Sequence, residues 1–205
     1  MSFFSWPSKG KFTGYPPDEA SIEASEEPLT AYLAQLAGCL GDGALHIIAH
    51  SMGNRALLRS MKELLNRVES KQNLKLGQIF LAAPDVDARV FANLARVFKS
   101  ISERTTLYVS PKDKALASSG ILHDYPRAGF TPPVTTVDGI DTVDTSSVDL
   151  SFLGHGYFAA SRDVLEDMYT LLRHNLPPLD RQLNQEVSDG HPYWSIPYHG
   201  GLSDA

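Results

Sequence analysis

Short apolar runs and amphipathic stretches alternate along this chain, and their periods predict the order of its elements. Residues 2–6 read as a short strand, ended by Pro7 and a Gly/Pro-rich loop that runs to Pro17. Asp18 then caps a helix whose apolar stripe includes Ile22, Leu29, Leu33, Leu36 and Leu40. A strand over 44–50 follows Gly41-Asp42-Gly43, and a helix over 53–67 comes next. Residues 77–83 form a strand ended by Pro84, and 87–100 a helix carrying Val90, Phe91, Leu94, Val97 and Phe98. Residues 105–109, β-branched or aromatic except for Leu107, are another strand. A loop and short helix lead to Pro133-Val134-Thr135-Thr136-Val137 as the last strand, and 156–173 is a closing helix. The alternation predicts an α/β fold, a mainly parallel sheet with helices on both faces, in one domain over 1–178. Residues 179–205 read as an irregular polar tail, with Tyr193-Trp194 docking back on the same domain.

Function in such sheets sits at the carboxyl ends of the strands, which directs attention to Leu45-His46-Ile47-Ile48-Ala49-His50-Ser51-Met52-Gly53-Asn54. An apolar strand running into a serine between small residues, and then into a helix, reads as a nucleophile elbow. Ala49 stands where the usual motif has its first glycine, and Gly53 keeps the second. A serine alcohol is a weak nucleophile and must meet a base and a carbonyl at once, which a tight turn permits. The following helix points its amino end at the same place, so the backbone N–H of Met52 becomes an oxyanion donor. The alternative is an ordinary strand–turn–helix in which Ser51 caps the helix.

A serine hydrolase of this topology needs an acid and then a histidine later in the chain. Asp113 follows the 105–109 strand in Tyr108-Val109-Ser110-Pro111-Lys112-Asp113, and His155 lies between two glycines in Gly154-His155-Gly156. His155 would take the Ser51 proton and return it to the leaving group, while Asp113 fixes the imidazole tautomer. His123 is the rival base. His50 adjoins Ser51 but points to the opposite face, and His46 reads as a packed, hydrogen-bonded strand residue. Asp85 and Asp87 follow an earlier strand, where one of them caps the next helix. Leu116, Ile121, Leu122, Tyr125 and Phe130 read as an apolar lid or a packed loop.

Composition narrows the remaining classes. Of 205 residues 42% are hydrophobic and 20% charged, enough for one core, and the net charge of −6 with scattered basic residues argues against a nucleic-acid partner. Cys39 is the lone cysteine, so there is neither a disulfide framework nor a cysteine metal cluster. No run approaches membrane-spanning length, and no metal or nucleotide motif appears, so no cofactor is expected. The chain as given reads as a soluble cytoplasmic protein, with export of a longer form left open.

These motifs together resemble an α/β-hydrolase-like family, esterase/lipase-like, mostly bacterial and long catalogued as a domain of unknown function. The resemblance rests on Phe4-Ser5-Trp6-Pro7-Ser8 with Gly10, Ala49 to Asn54, Leu81 to Asp87, Tyr108-Val109-Ser110 with Asp113, and Gly154-His155 with Tyr157-Phe158. It implies the α/β-hydrolase fold and a Ser51–Asp113–His155 triad but points to no substrate; a small-molecule ester is the expectation that the elbow and the ordered Asp113 and His155 raise. Family members usually carry, before the Ser-Trp-Pro block, a strand whose loop gives the second oxyanion N–H. The chain is therefore expected to be N-terminally truncated and to lack the usual first strands. Residues 2–6 could shift into the vacant position, a second copy could supply a strand in a homodimer, or the chain could be a fragment. Loss of one oxyanion donor costs about 3–4 kcal/mol of transition-state stabilisation, so a slow enzyme is expected. The alternative is a non-catalytic binding protein on a degenerate hydrolase scaffold.

Overall fold

The computed structural model describes residues 1–9, 14–40, 45–67, 75–147 and 161–198. Six strands form one sheet in the order β1-β2-β3-β4-β6-β5. They are β1 (Leu45–His50), β2 (Leu76–Ala82), β3 (Ser102–Val109), β4 (Asp141–Asp144), β5 (Asn184–Ser188) and β6 (His191–Ser195). The pairs from β1 to β6 are parallel, and only the β5–β6 hairpin is antiparallel. Helices cover both faces, because the two sets of alternating strand side chains are both apolar. On one face Ala49, Ile79, Leu81, Leu107 and Val109 pack with α1 (Tyr15–Ala24), α2 (Glu26–Leu40), α3 (Gly53–Asn66), α4 (Ala88–Leu94) and α5 (Phe98–Ile101). On the other, Phe80, Tyr108 and Val143 pack with Leu116 of α6 (Lys114–His123) and with Val164, Met168 and Leu171 of α7 (Arg162–His174). The predicted mainly parallel sheet with helices on both faces is therefore the observed architecture.

Four expectations are corrected. Residues 2–6 are not a strand. Phe4 and Trp6 turn to the core as an alternating pattern predicts, and Phe4 lies 5.8 Å from the Tyr32 ring, but no strand among the described residues takes up their backbone groups. The first helix starts at Tyr15 with prolines in its first turn and breaks at Ser25, so Asp18 lies within it. Asp18 instead accepts from Ser8 Oγ at 2.7 Å and from the Lys9 N–H at 2.8 Å. The last strand before α7 is Asp141–Asp144, not 133–137. Prolines 132 and 133 have no N–H to give a ladder, and the Thr135 carbonyl accepts from the Thr142 hydroxyl at 2.8 Å. The tail after Pro178 is not irregular over 184–195, where β5 and β6 extend the sheet beside β4.

Strand β1 is the sheet edge among the described residues, with no strand on its far side. Helix α7 covers Phe80, Tyr108 and Val143 but leaves Ile48, the register partner of Phe80, 55% exposed. Residues 2–6 have therefore not shifted into the position beside β1. Near its start β1 bulges, and His46 Nδ1 accepts the Gln78 N–H at 2.8 Å in place of a ladder bond.

Candidate active site

The turn between β1 and α3 is left-handed at its centre. Ser51 has φ +53°, a region that costs a non-glycine residue about 1–3 kcal/mol and persists only where surroundings enforce it. The enforcement is visible in the hydrogen bonds. The Ser51 N–H donates to the Ala82 carbonyl at 3.0 Å, tying the turn to the end of β2. The Ser51 carbonyl accepts from the Asn54 N–H at 3.1 Å, the Asn54 side-chain amide at 3.0 Å and the Asp85 N–H at 3.2 Å. Helix α3 begins at Gly53 with Met52 at its N-cap position and no side-chain cap. Ser51 is thus not a capping serine, and no described side chain hydrogen-bonds to its hydroxyl. A Cβ at Gly53 would stand 3.7 Å from the Trp6 ring, an ordinary van der Waals contact, so the described packing does not by itself demand glycine there.

Asp113 is buried at the N-cap of α6, where its Oδ1 accepts from the Ala115 N–H at 3.0 Å and the Leu116 N–H at 3.1 Å. Ser51 and Asp113 follow β1 and β3, and β2 intervenes, so the two strand ends stand about 10 Å apart at the same sheet edge. His155, with the whole of 152–158, lies outside the described residues. Asp87 is the helix cap expected of one of the two early aspartates: it accepts from the Arg89 and Val90 N–H groups at 2.9 and 3.1 Å.

Asp85 has a different role, which the sequence did not reveal. It sits beneath the elbow in a buried polar cluster drawn from four segments. The Tyr15 hydroxyl donates to Oδ2 and the Ser119 hydroxyl to Oδ1, both at 2.7 Å, and the Arg127 Nε approaches Oδ1 at 3.3 Å. That Arg127 N–H does not point at the oxygen, so the contact is an ion pair without a hydrogen bond. Burial, and then the Asp85 charge, push the Tyr15 phenol well up, so it remains a donor. The cluster fixes the loop whose Asp85 N–H holds Ser51.

His123, the rival base, is engaged elsewhere. Its Nε2 lies 3.1 Å from Glu19 Oε1 and its Nδ1 2.9 Å from the Ser119 carbonyl. Glu19 also accepts from Arg55 at 2.8 Å. Burial raises its carboxyl, but the Arg55 hydrogen bond and the Arg55 and His123 charges outweigh this and hold it below the usual range. The loop residues split between the two roles expected of them: Leu116 is buried in the second core and Phe130 packs on it, while Ile121 is 80% and Tyr125 49% exposed.

A mostly parallel sheet, helices on both faces and a strained serine at a strand–helix turn define the α/β-hydrolase class of scaffold. The chain belongs to the family described as alpha/beta hydrolase of unknown function (DUF900), whose pattern it matches over residues 1–174. It is also similar to the uncharacterized protein alr1448 of Nostoc sp. (strain PCC 7120), at 29% identity over 105 residues, covering 42% of this chain and 27% of that protein. The chain thus spans about a quarter of that relative's length. No solved structure matches it. No described helix is long and apolar enough to cross a membrane.

Proposed function

We propose that this chain is a serine hydrolase that cleaves an ester-type bond in a small molecule through an acyl-enzyme. The observation that carries the reading is Ser51 in its left-handed turn, at the carboxyl end of β1 and the amino end of a 14-residue helix. In that reading Ser51 Oγ bonds to the substrate carbonyl carbon while His155 takes its proton. The tetrahedral oxyanion is held by the Met52 N–H and the helix dipole. The carbon–oxygen bond to the alcohol breaks, and His155 returns the proton to the departing alkoxide. Water then attacks the acyl-enzyme, gives a proton to His155, and the acid leaves as Ser51 is reprotonated. Asp113 receives the imidazole N–H and steadies the imidazolium; its place beyond β3, one strand removed from β1, leaves room for a ring between them.

The test is labelling with a fluorophosphonate probe. Wild type is expected to label and Ser51→Ala to stay unlabelled; equal labelling overturns the proposal. Failure of wild type both to label and to turn over short p-nitrophenyl esters would instead support a binding protein on a hydrolase scaffold.

The edge of β1, unpaired among the described residues, favours a strand added by a second copy of the chain, with Ile48 exposed beside it. The protein is then expected to elute as a dimer and Ile48→Lys as a monomer. A monomeric wild type at tens of micromolar removes this arrangement.

A further inference from the structure

We infer that Asn54 is the positioning residue of the nucleophile, holding Ser51 in its left-handed conformation through its side-chain amide. Asn54 is fully buried in the first turn of α3. The two hydrogens of its Nδ2 bridge two carbonyls, that of Ser51 at 3.0 Å and that of Ala82 at 3.2 Å. These belong to the nucleophile itself and to the last residue of the neighbouring strand. The Ala82 carbonyl also receives the Ser51 N–H at 3.0 Å, so one side chain closes a ring around the turn.

The orientation of the amide follows from its partners. Two carbonyls can only be met by the NH2 end, which leaves Oδ1 buried without a hydrogen-bond partner. An unpaired buried acceptor is a cost that aliphatic residues would avoid, and helix α3 supplies Ala56, Leu57 and Leu58 just beyond. The asparagine is retained where only a two-hydrogen donor can bind the Ser51 and Ala82 carbonyls together. The backbone N–H groups of Asn54 and Asp85 also donate to the Ser51 carbonyl, at 3.1 and 3.2 Å, but neither bond reaches Ala82. Without the Asn54 amide, Ser51 is released to relax toward negative φ, which turns the hydroxyl away from the strand end.

The kinetic part of the test rests on Ser51 being the nucleophile; the structural part does not. Crystal structures of wild type and Asn54→Ala are expected to show Ser51 leaving the left-handed region in the variant. Ser51 φ staying within about 20° of the wild-type value overturns the inference, whether or not the serine is reactive. The fluorophosphonate labelling rate, compared per folded molecule, is expected to fall about a hundredfold, as for a misplaced reacting group, with ester KM little changed and kcat reduced. Labelling within threefold of wild type also overturns it. Ser60→Ala, on the same helix as Asn54, is the control, because it removes a buried hydroxyl that donates to the Glu26 carbonyl of α2 at 2.9 Å. It should lower the melting temperature without slowing labelling. If Asn54→Ala fails to fold, Asn54→Ser, whose single proton cannot bridge two carbonyls, carries the same expectations. If wild type never labels, the serine reading fails and Ser51 φ in the variant still decides the role of Asn54.

Discussion

Asp113→Asn is expected to leave the protein as stable as wild type and to lower ester turnover by about three to four orders of magnitude. The two effects separate because the observed helix cap and the proposed triad role of Asp113 make different demands on its side chain. Its Oδ1 receives the N–H groups of Ala115 and Leu116 and so caps α6. Asparagine is as good an N-cap as aspartate, so that role survives the exchange. The proposed triad role would not survive, since an amide presents a donor or a neutral acceptor to an imidazole that must be held in one tautomer and stabilised as a cation. Asp113→Ala removes both functions and is expected to cost about 1 kcal/mol in urea unfolding besides the same loss of turnover. Measuring unfolding midpoints and kcat on the three proteins separates the roles. An Asp113→Asn variant with near wild-type kcat would leave Asp113 as a helix cap alone and return the acid to be found elsewhere.

Much of this arrangement was legible in the sequence, for reasons that differ by element. Strand β2 and residues 105–109 of β3 are buried on both faces, so their apolar and β-branched runs stand out. The strand–helix turn is legible because an apolar strand runs into a serine flanked by small residues, here Ala49 and Gly53. Strand β4 was missed because Asp141-Thr142-Val143-Asp144 looks polar; its aspartates are half-buried at the two ends, where Asp141 pairs with Arg104 at 2.8 Å. The β5–β6 hairpin was missed for a similar reason, since most of its side chains face water and its stability comes from pairing with β4. Residues 2–6 show the converse: Phe4 and Trp6 alternate correctly, but a strand is made by its partner as well as its pattern. Asn54, Asp85, Tyr15 and Arg127 carry no signal of period at all. Their meaning depends on contacts across up to 104 positions, such as those of Tyr15 with Asp85 and Ser119, which only the folded topology creates.

Gly129→Ala is expected to destabilise the protein by about 3 kcal/mol, at the upper end of what overpacking costs. A methyl group there would stand 2.5 Å from the Ala83 carbonyl carbon and the Pro84 nitrogen. Both are backbone atoms, with no side chain to swing aside. The segment is held in place by the Gly129 N–H donating to the Pro84 carbonyl and the Ser110 N–H donating to the Gly129 carbonyl, each at 3.0 Å. The Ala128 N–H adds a bond to the Val86 carbonyl at 2.9 Å. This strap lies across the carboxyl ends of β2 and β3, beside the loop that carries Asp85. Lifting it would draw Arg127 from Asp85 and loosen the Asp85 N–H that holds the Ser51 carbonyl, so fluorophosphonate labelling should slow along with the loss of stability. Gly38→Ala provides the contrast, because its Cβ would meet nothing within 4 Å near the end of α2. That exchange is expected to be neutral or to stabilise by up to about 1 kcal/mol through helix propensity. Urea midpoints of the two variants should therefore move apart, and a Gly129→Ala loss below about 1 kcal/mol would mean that the strap gives way without cost and does not brace the elbow.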